Sequence, residues 1–181
     1  QTCALPIWLE DAAARPIFQD VAHRVRSMAM VHEKLYQSAD LALVDFADYA
    51  QSLLAYLCRA HADKASSIHL DLDLEPVSLP VHTAVPCGLI LNELFGNALK
   101  HAFGDRTGGR ICVSLQEHAN GQLRLSVQDD GKGLPPDLDW QQSASLGLRL
   151  VKMLCRQIHA AIEVASDEGA QFTLIFERHL E

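Results

Sequence analysis

The chain has 181 residues, 49% of them hydrophobic, which supports one medium-sized domain or a domain with a helical appendage. Its formal net charge of −8 argues against a nucleic-acid-binding surface, because such a surface needs a basic patch. The five cysteines are scattered and lack the spacing of a CxxC or Cys/His zinc site, so reduced thiols in a cytosolic protein are expected. No apolar run reaches the ~20 residues that span a bilayer.

The first element is predicted from a heptad-like pattern. Apolar side chains recur at spacings of three and four, which predicts a helix over residues 16–37 with Pro16 in its first turn. The residues of this seam are Phe18, Val21, Val25, Met28, His32 and Leu35. Periodicity alone leaves two interpretations open. The helix either packs on its own domain or forms one arm of a dimerising helical hairpin.

Three further elements follow a polar break at residues 38–43. Asp45 is expected to cap a helix that ends near residue 60 and buries one apolar face. Residues 68–75 alternate between apolar and polar side chains, which predicts a half-buried strand. A long helix is then predicted over residues 83–102.

In the second half of the chain, the sequence pattern predicts four strands and one more helix. Two strands at residues 111–115 and 123–127 are predicted to form a hairpin around Asn120-Gly121. A loop over residues 129–145 leads into the last elements, a helix over 146–160 and strands at 162–165 and 171–177. From residue 45 onward this order predicts an α+β fold, a two-layer α/β sandwich.

Four polar side chains share one face of the long helix. Glu93, Asn97, Lys100 and His101 lie three or four residues apart on an otherwise apolar helix. Burying them without partners is costly, so this face either meets solvent or lines a ligand site. Gly96 favours the ligand site, because a glycine inside a helix costs about 1 kcal/mol relative to alanine.

Three shorter motifs follow. Asp129 ends a strand and is followed by Gly131 and Gly133, a pattern that places an acidic side chain in a pocket or simply forms a turn. Gly147 opens an apolar helix, whose exposed N–H groups favour phosphate. The stretch at residues 168–174 is the weakest of the three, since a plain hairpin turn also explains it.

In this order and spacing, the motifs resemble the N, G1, G2 and G3 boxes of the GHKL ATPase superfamily, shared by histidine kinases, Hsp90, type II topoisomerases and MutL. The stretches GLILNELFGNALKHAF and SLGLRLV look like histidine kinases related to the HWE group. HRVRSMAMVHEKLYQS followed by VDFADY resembles their second hairpin helix and linker. The resemblance covers roughly residues 9–178. It implies a GHKL (Bergerat) ATP-binding domain at residues 45–181, preceded by a partial dimerisation and phosphotransfer hairpin at residues 1–44.

The resemblance also implies the ligands ATP and Mg²⁺ and gives the motif residues roles. Asn97 would help hold Mg²⁺ against the triphosphate, and Glu93 would be the acid/base residue near the transferred phosphate. Asp129 would accept a hydrogen bond from the adenine amino group. The other expected contacts are Lys100 and His101 near the phosphates, Asn92 as a secondary polar contact, Gly131 and Gly133 around the adenine pocket, Gly147 and Leu148 beside the lid, and Thr173 near the adenine.

The implied activity is transfer of the ATP γ-phosphate to a histidine in cytoplasmic two-component signalling. A response regulator is the expected partner, with a homodimer when the hairpin is complete, and neither a nucleic-acid partner nor a membrane segment is expected. In the family, the phosphoacceptor lies on the first hairpin helix in an H-R-V-K-N-like box, which would precede residue 9. Because residues 1–8 hold no histidine, we expect no phosphoacceptor in this chain and no autophosphorylation. His23 stands in a similar His-Arg-Val-Arg-Ser stretch but is interpreted as an ordinary residue of the second helix.

The chain departs from the family pattern in its G2 box, which has the single glycine Gly147, and in a short lid at residues 135–145. Ala170 also stands where threonine or serine is frequent. Two alternative functions remain. An anti-sigma-factor-type GHKL serine kinase is disfavoured by the amphipathic helix at residues 16–37. A non-catalytic nucleotide-binding or dimerisation module is disfavoured by the presence of Glu93 and Asn97 together with the Asp129 motif.

Overall fold

The computed structural model describes residues 14–37, 43–104, 106, 108–118, 121–135, 140–142 and 145–178. Within these ranges, a five-stranded mixed sheet packs its apolar face against helices. No helix in the described part of the chain is both long and apolar enough to cross a membrane.

Four of the five helices in the described part of the chain lie where the sequence predicted a helix, whereas the short helix at Ala62–Ala65 was not predicted. The helices are α1 (Ala14–Gln37), α2 (Phe46–Ala60), the short α3 (Ala62–Ala65), α4 (Val81–Asn97) with a π-helical extension (Ala98–Ala102), and α5 (Leu146–Gln157). The end of α5 was predicted three residues too late. The chain leaves the helix there because His159 takes a left-handed conformation with φ of 53°.

Helix α2 shows how local sequence sets an element. The Asp45 carboxylate accepts the Asp48 N–H at 3.0 Å, which satisfies one of the free donors of the first turn. The predicted apolar face is buried as expected and consists of Phe46, Tyr49, Leu53, Leu54 and Leu57. Cap and buried face together confirm this helix.

The main sheet has the strand order β2-β4-β5-β7-β6. Its strands are β2 (Ile68–Leu74), β4 (Gly109–Glu117), β5 (Gln122–Asp129), β6 (Ala161–Ala165) and β7 (Gln171–Glu177). Strands β2 and β4 are parallel, whereas the other neighbours are antiparallel. A second sheet pairs β1 (Leu43–Asp45) with β3 (Ser78–Pro80). It was not predicted, because strands of three residues are too short to show a period of two.

Strand alternation decides which side chains face the helices. Val113, Val127 and Phe172 lie side by side on neighbouring strands and are buried. Asp129 follows Val127 by two residues and therefore shares this face. Thr173 is one residue beyond Phe172 and lies on the opposite face of the sheet.

Four described side chains of the apolar seam of α1 are largely exposed. Phe18, Val21, Val25 and Met28 are 55%, 45%, 61% and 42% exposed, respectively. The helix itself does pack on its own domain, but not through the described part of this seam. Helix α1 instead contacts α4 through a different face that includes the fully buried Ser27. The side chains of His32 and Leu35 lie outside the described part of the structure.

Candidate nucleotide site

A cavity of about 310 Å³, here called the main cavity, opens between α4, the start of α5 and the ends of β5 and β7. Its apolar lining consists of Leu94, Ala98, Ala102, Val127, Leu134, Pro135, Leu148, Ala170 and Phe172. Its polar lining includes Asn97, His101, Asp129, Lys132 and Ser145. A mostly apolar cavity of this size with a few convergent polar groups is typical of small-molecule sites.

Asp129 is held in place at the wall of the main cavity. The side chain is 6% exposed, and its Oδ1 accepts the backbone N–H groups of Gly131 at 2.9 Å and Ala170 at 3.2 Å. Burial raises the pKa of this carboxyl, and the two N–H donors oppose part of that rise. The bonds fix the carboxylate orientation, so a ligand meets a preorganised acceptor.

Gly131 allows the backbone after Asp129 to pass close to the end of the π-helical turn. A Cβ at this position would lie 2.4 Å from the carbonyl oxygen of Ala102. The same carbonyl accepts the Lys132 N–H at 2.9 Å, so it cannot move away without losing that bond. The Asp-x-Gly-x-Gly motif therefore shapes the cavity wall, since any larger residue at Gly131 would push the two segments apart.

Positive charge collects around His101, at one side of the main cavity. Burial lowers the pKa of His101, and Lys100, Lys132 and Lys64 lower it further by charge repulsion. A neutral imidazole surrounded by ammonium groups is suited to an anionic ligand, because the anion relieves the repulsion among the cations.

The beginning of α5 closes another side. Ser145 caps the helix by accepting the Leu148 N–H at 3.4 Å. A Cβ at Gly147 would come within 2.6 Å of Glu93 Oε2, so the glycine lets the helix start lie directly against that carboxylate. The N-terminus of α5 thus adds its partial positive charge to this region.

A second, polar space of about 20 Å³, the polar crevice, lies on the other side of Asn97. It is lined by His23, Leu57, His61, Asn92, Glu93, Gly96, Asn97 and Lys100. Asn97 lines both spaces and so marks their junction. A Cβ at Gly96 would meet no atom within 4 Å, so packing does not explain this glycine.

Glu93 is held by an arginine from α1. Arg24 Nε donates to Oε1 at 2.6 Å and Arg24 Nη2 donates to Oε2 at 2.9 Å. Asn92 Nδ2 donates to Oε1 at 3.2 Å, and the Glu93 side chain is only 8% exposed. Arg24 could not be predicted as this partner, because no local pattern connects two residues 69 positions apart.

His23, interpreted from the sequence as an ordinary helix residue, lines the polar crevice. Its ring packs edge-on against His61, with centroids 4.9 Å apart, and against Tyr56 at 6.0 Å. The side chain is therefore partly buried among aromatic rings.

The expected site residues fall into four groups. Asn97, His101, Asp129, Gly133 and Leu148 line the main cavity, whereas Asn92, Glu93 and Lys100 line the polar crevice. Gly131 and Gly147 act through close backbone approach. Thr173 does not line the main cavity; its Oγ1 donates to Ser126 Oγ at 3.3 Å across the opposite face of the sheet. Lys132 and Phe172 were not predicted from the sequence as lining residues, because the motifs around them were recognised by other residues.

A two-layer sandwich with an acidic strand end and a polar helix face around one cavity defines a nucleotide-binding domain of the GHKL type. Comparison with known families agrees. The family described as histidine kinase-, DNA gyrase B-, and HSP90-like ATPase matches residues 83–180, and a histidine kinase family, HisKA_2, matches residues 8–61. The chain therefore belongs to the GHKL histidine kinases and contains their ATP-binding catalytic domain.

Individual relatives support this assignment. The chain is 35% identical over 153 residues to blue-light-activated histidine kinase 2 of Erythrobacter litoralis, covering 81% of this chain and 43% of that protein. Sensor histidine kinase PdtaS of Mycobacterium tuberculosis is 30% identical over 146 residues, which is 80% of this chain and 28% of that protein. The chain thus spans less than half the length of these curated relatives.

The fold is shared with a solved relative. The histidine kinase domain of the Erythrobacter litoralis EL346 blue-light-activated kinase superposes with a TM-score of 0.80 at 27% identity. The match covers 88% of this chain and 75% of the solved one. Sheet and helices are therefore those of a histidine kinase ATPase domain.

Proposed function

We propose that this chain binds Mg-ATP in the main cavity and transfers the γ-phosphate to a histidine, which passes it to a response regulator. The observation that carries the proposal is the buried, backbone-anchored Asp129 carboxylate in an apolar cavity whose far side carries Asn97 and a cluster of cations. This arrangement matches a ligand with a flat, hydrogen-bonding base at one end and phosphates at the other.

At the base end, Asp129 accepts a hydrogen bond from the adenine amino group. Apolar side chains such as Val127, Ala98 and Phe172 then surround the ring faces. Since Asp129 already accepts two backbone N–H groups on Oδ1, its orientation needs no reorganisation when adenine enters.

At the phosphate end, Asn97 offers an amide oxygen at the junction of the two spaces. Mg²⁺ prefers oxygen ligands and usually takes one or two from the protein, with waters and substrate phosphates completing its shell. Among the described residues, no group of three or more His, Cys, Asp or Glu side chains could hold a metal ion. The single amide oxygen of Asn97 would suit a magnesium ion bound mainly by the triphosphate, whose charge the metal would neutralise.

Glu93 lies on the acceptor side of the junction, in the polar crevice. In the proposed transfer, the acceptor nitrogen attacks the γ-phosphorus in line with the departing ADP. Glu93 orients the acceptor and takes its proton. Lys100 and His101 stabilise the phosphates, so the chain acts mainly by positioning and charge neutralisation.

Asn97→Ala tests the metal assignment. We expect this variant to lose most of the Mg²⁺ dependence of ATP binding while keeping binding without the metal, because only the metal-linked contact is removed. Calorimetric titration with and without Mg²⁺ measures the difference. An unchanged Mg²⁺ dependence in the variant would show that Asn97 is not the metal residue.

His23 is not the proposed phosphoacceptor, although it lines the polar crevice. Its ring is packed against His61 and Tyr56, and an acceptor must reach the γ-phosphorus to about 3–3.5 Å in line. We expect incubation of this chain with γ-labelled ATP and Mg²⁺ to give no acid-labile label at His23. Label that disappears in His23→Gln would reverse this assignment.

Three broader features belong to the same proposal. The chain divides into part of a dimerisation hairpin, residues 1–44, and a catalytic domain, residues 45–181, although the HisKA_2 match continues through α2 to residue 61. It works in the cytoplasm, where ATP is available, and forms a homodimer when the hairpin is complete.

Two outcomes would support the alternative functions. Labelled phosphate on a serine of an added protein would support an anti-sigma-factor-type kinase, and nucleotide binding without any phosphate transfer would support a non-catalytic module.

A further inference from the structure

We propose that Arg24 is a positioning residue that withholds the Glu93 carboxylate as long as helix α1 is docked on α4. The inference rests on the proposed function, in which Glu93 is the acid/base residue. It adds a control of that residue by the neighbouring helix, and it predicts that turnover rises when Arg24 is removed.

The first support is the geometry of the ion pair. Both Glu93 oxygens accept hydrogen bonds from the same guanidinium, at 2.6 and 2.9 Å, and the two side chains are 8% and 16% exposed. Charge-assisted, bidentate bonds of this kind are the strongest hydrogen bonds in proteins. Together with the Asn92 bond to Oε1, they fill three of the roughly four acceptor positions of a carboxylate, so an acceptor proton can reach only the remaining position on Oε2 unless one of them breaks.

The surroundings of Glu93 leave the carboxylate little freedom to turn away from Arg24. On one side, Asn92 Nδ2 donates to Oε1 at 3.2 Å. On another side, the backbone at Gly147 is so close that a Cβ there would lie 2.6 Å from Oε2. Because α4 and α5 confine the carboxylate, its release depends on movement of Arg24 rather than of Glu93.

Arg24 in turn depends on how α1 is seated. Tyr49 Oη donates to the carbonyl oxygen of Ser27 at 3.1 Å, and this contact is buried. Ser27 Oγ donates to the carbonyl oxygen of His23 and lies 3.5 Å from Asn92 Oδ1. The contacts of Ser27 with Tyr49 and Asn92 hold α1 in the position that aims Arg24 at Glu93, so a shift of α1 would withdraw the guanidinium and free the base.

The test measures ATP hydrolysis by this 181-residue chain, where water replaces the histidine acceptor. The water oxygen bonds to the γ-phosphorus, the bond to the β,γ-bridging oxygen breaks, ADP leaves, and Glu93 takes the proton of the water. We expect Arg24→Gln to raise kcat on the order of tenfold, the lower end of what charge-assisted hydrogen bonds contribute, with KM for ATP unchanged.

Three further variants isolate the role of Arg24. Arg24→Lys should stay close to wild type, because an ammonium still neutralises the carboxylate although it lacks the planar fork. Arg26→Gln removes a cation from an exposed position on the same helix and should change nothing. In a Glu93→Gln background, Arg24→Gln should no longer raise kcat, since the two residues act as a unit.

Several outcomes would overturn the inference: a fall in kcat or a rise in KM in Arg24→Gln, an equal effect in Arg26→Gln, or an increase that persists in the Glu93→Gln background. Loss of the folded state in both Arg24 variants, followed by circular dichroism, would assign the pair a structural role and overturn it too. Failure of the proposed function is separate, because wild type would then not bind Mg-ATP in calorimetry.

Discussion

Glu93→Gln should lower Mg-ATP turnover by roughly a hundred- to ten-thousandfold, the usual contribution of a general base, while nucleotide binding persists. The amide keeps the shape of the side chain but cannot take a proton. The polar crevice that holds Glu93 is separate from the apolar lining around Asp129, so the adenine contacts are unaffected. Single-turnover kinetics together with calorimetry separate the two effects.

Glu163→Gln is the matched control for this experiment. Glu163 lies on the outer strand β6, where it pairs with Arg124 at 3.2 Å and is largely exposed. Its replacement should leave turnover at the wild-type level. Wild-type turnover in Glu93→Gln would remove Glu93 from the proposed mechanism, and with it the role inferred for Arg24.

Asp129→Asn is expected to weaken ATP binding roughly ten- to a hundredfold, because one charge-assisted hydrogen bond of about 1.5–3 kcal/mol is lost. The neighbouring Asp130→Asn is the matched control. Asp130 is exposed, and its Oδ1 accepts the Arg110 N–H at 2.8 Å, a bond that an amide oxygen can also accept. Equal affinities of wild type and Asp129→Asn in calorimetry would contradict the adenine assignment.

The same substitution should not destabilise the free protein. Burial raises the pKa of Asp129 in the folded state, so its contribution to stability is fully present below the unfolded pKa, near about 3.9. That contribution is lost as pH rises through the higher folded pKa. At pH 7 the buried charge is therefore unfavourable, and the variant should melt at the wild-type temperature or above. A lower Tm would mean that the affinity loss reflects unfolding.

Elements with long, regular patterns could be predicted from the sequence. Helix α2 has its Asp45 cap and a repeating apolar face, and strands β4 and β5 alternate on both sides of Gly121. The β1–β3 pair could not be predicted, since three-residue strands owe their pairing to the surrounding contacts rather than to their own pattern.

The sequence by itself predicted which side chains would lie close together at the proposed nucleotide site. Spacing along one helix brings Glu93, Asn97 and Lys100 together, and a strand end followed by glycines presents Asp129, because both are local geometry. Only the tertiary structure decided that Arg24 meets Glu93 and that the seam of α1 faces outward. Such contacts depend on how helices dock, and an amphipathic pattern shows that a helix has faces without showing which face meets which neighbour.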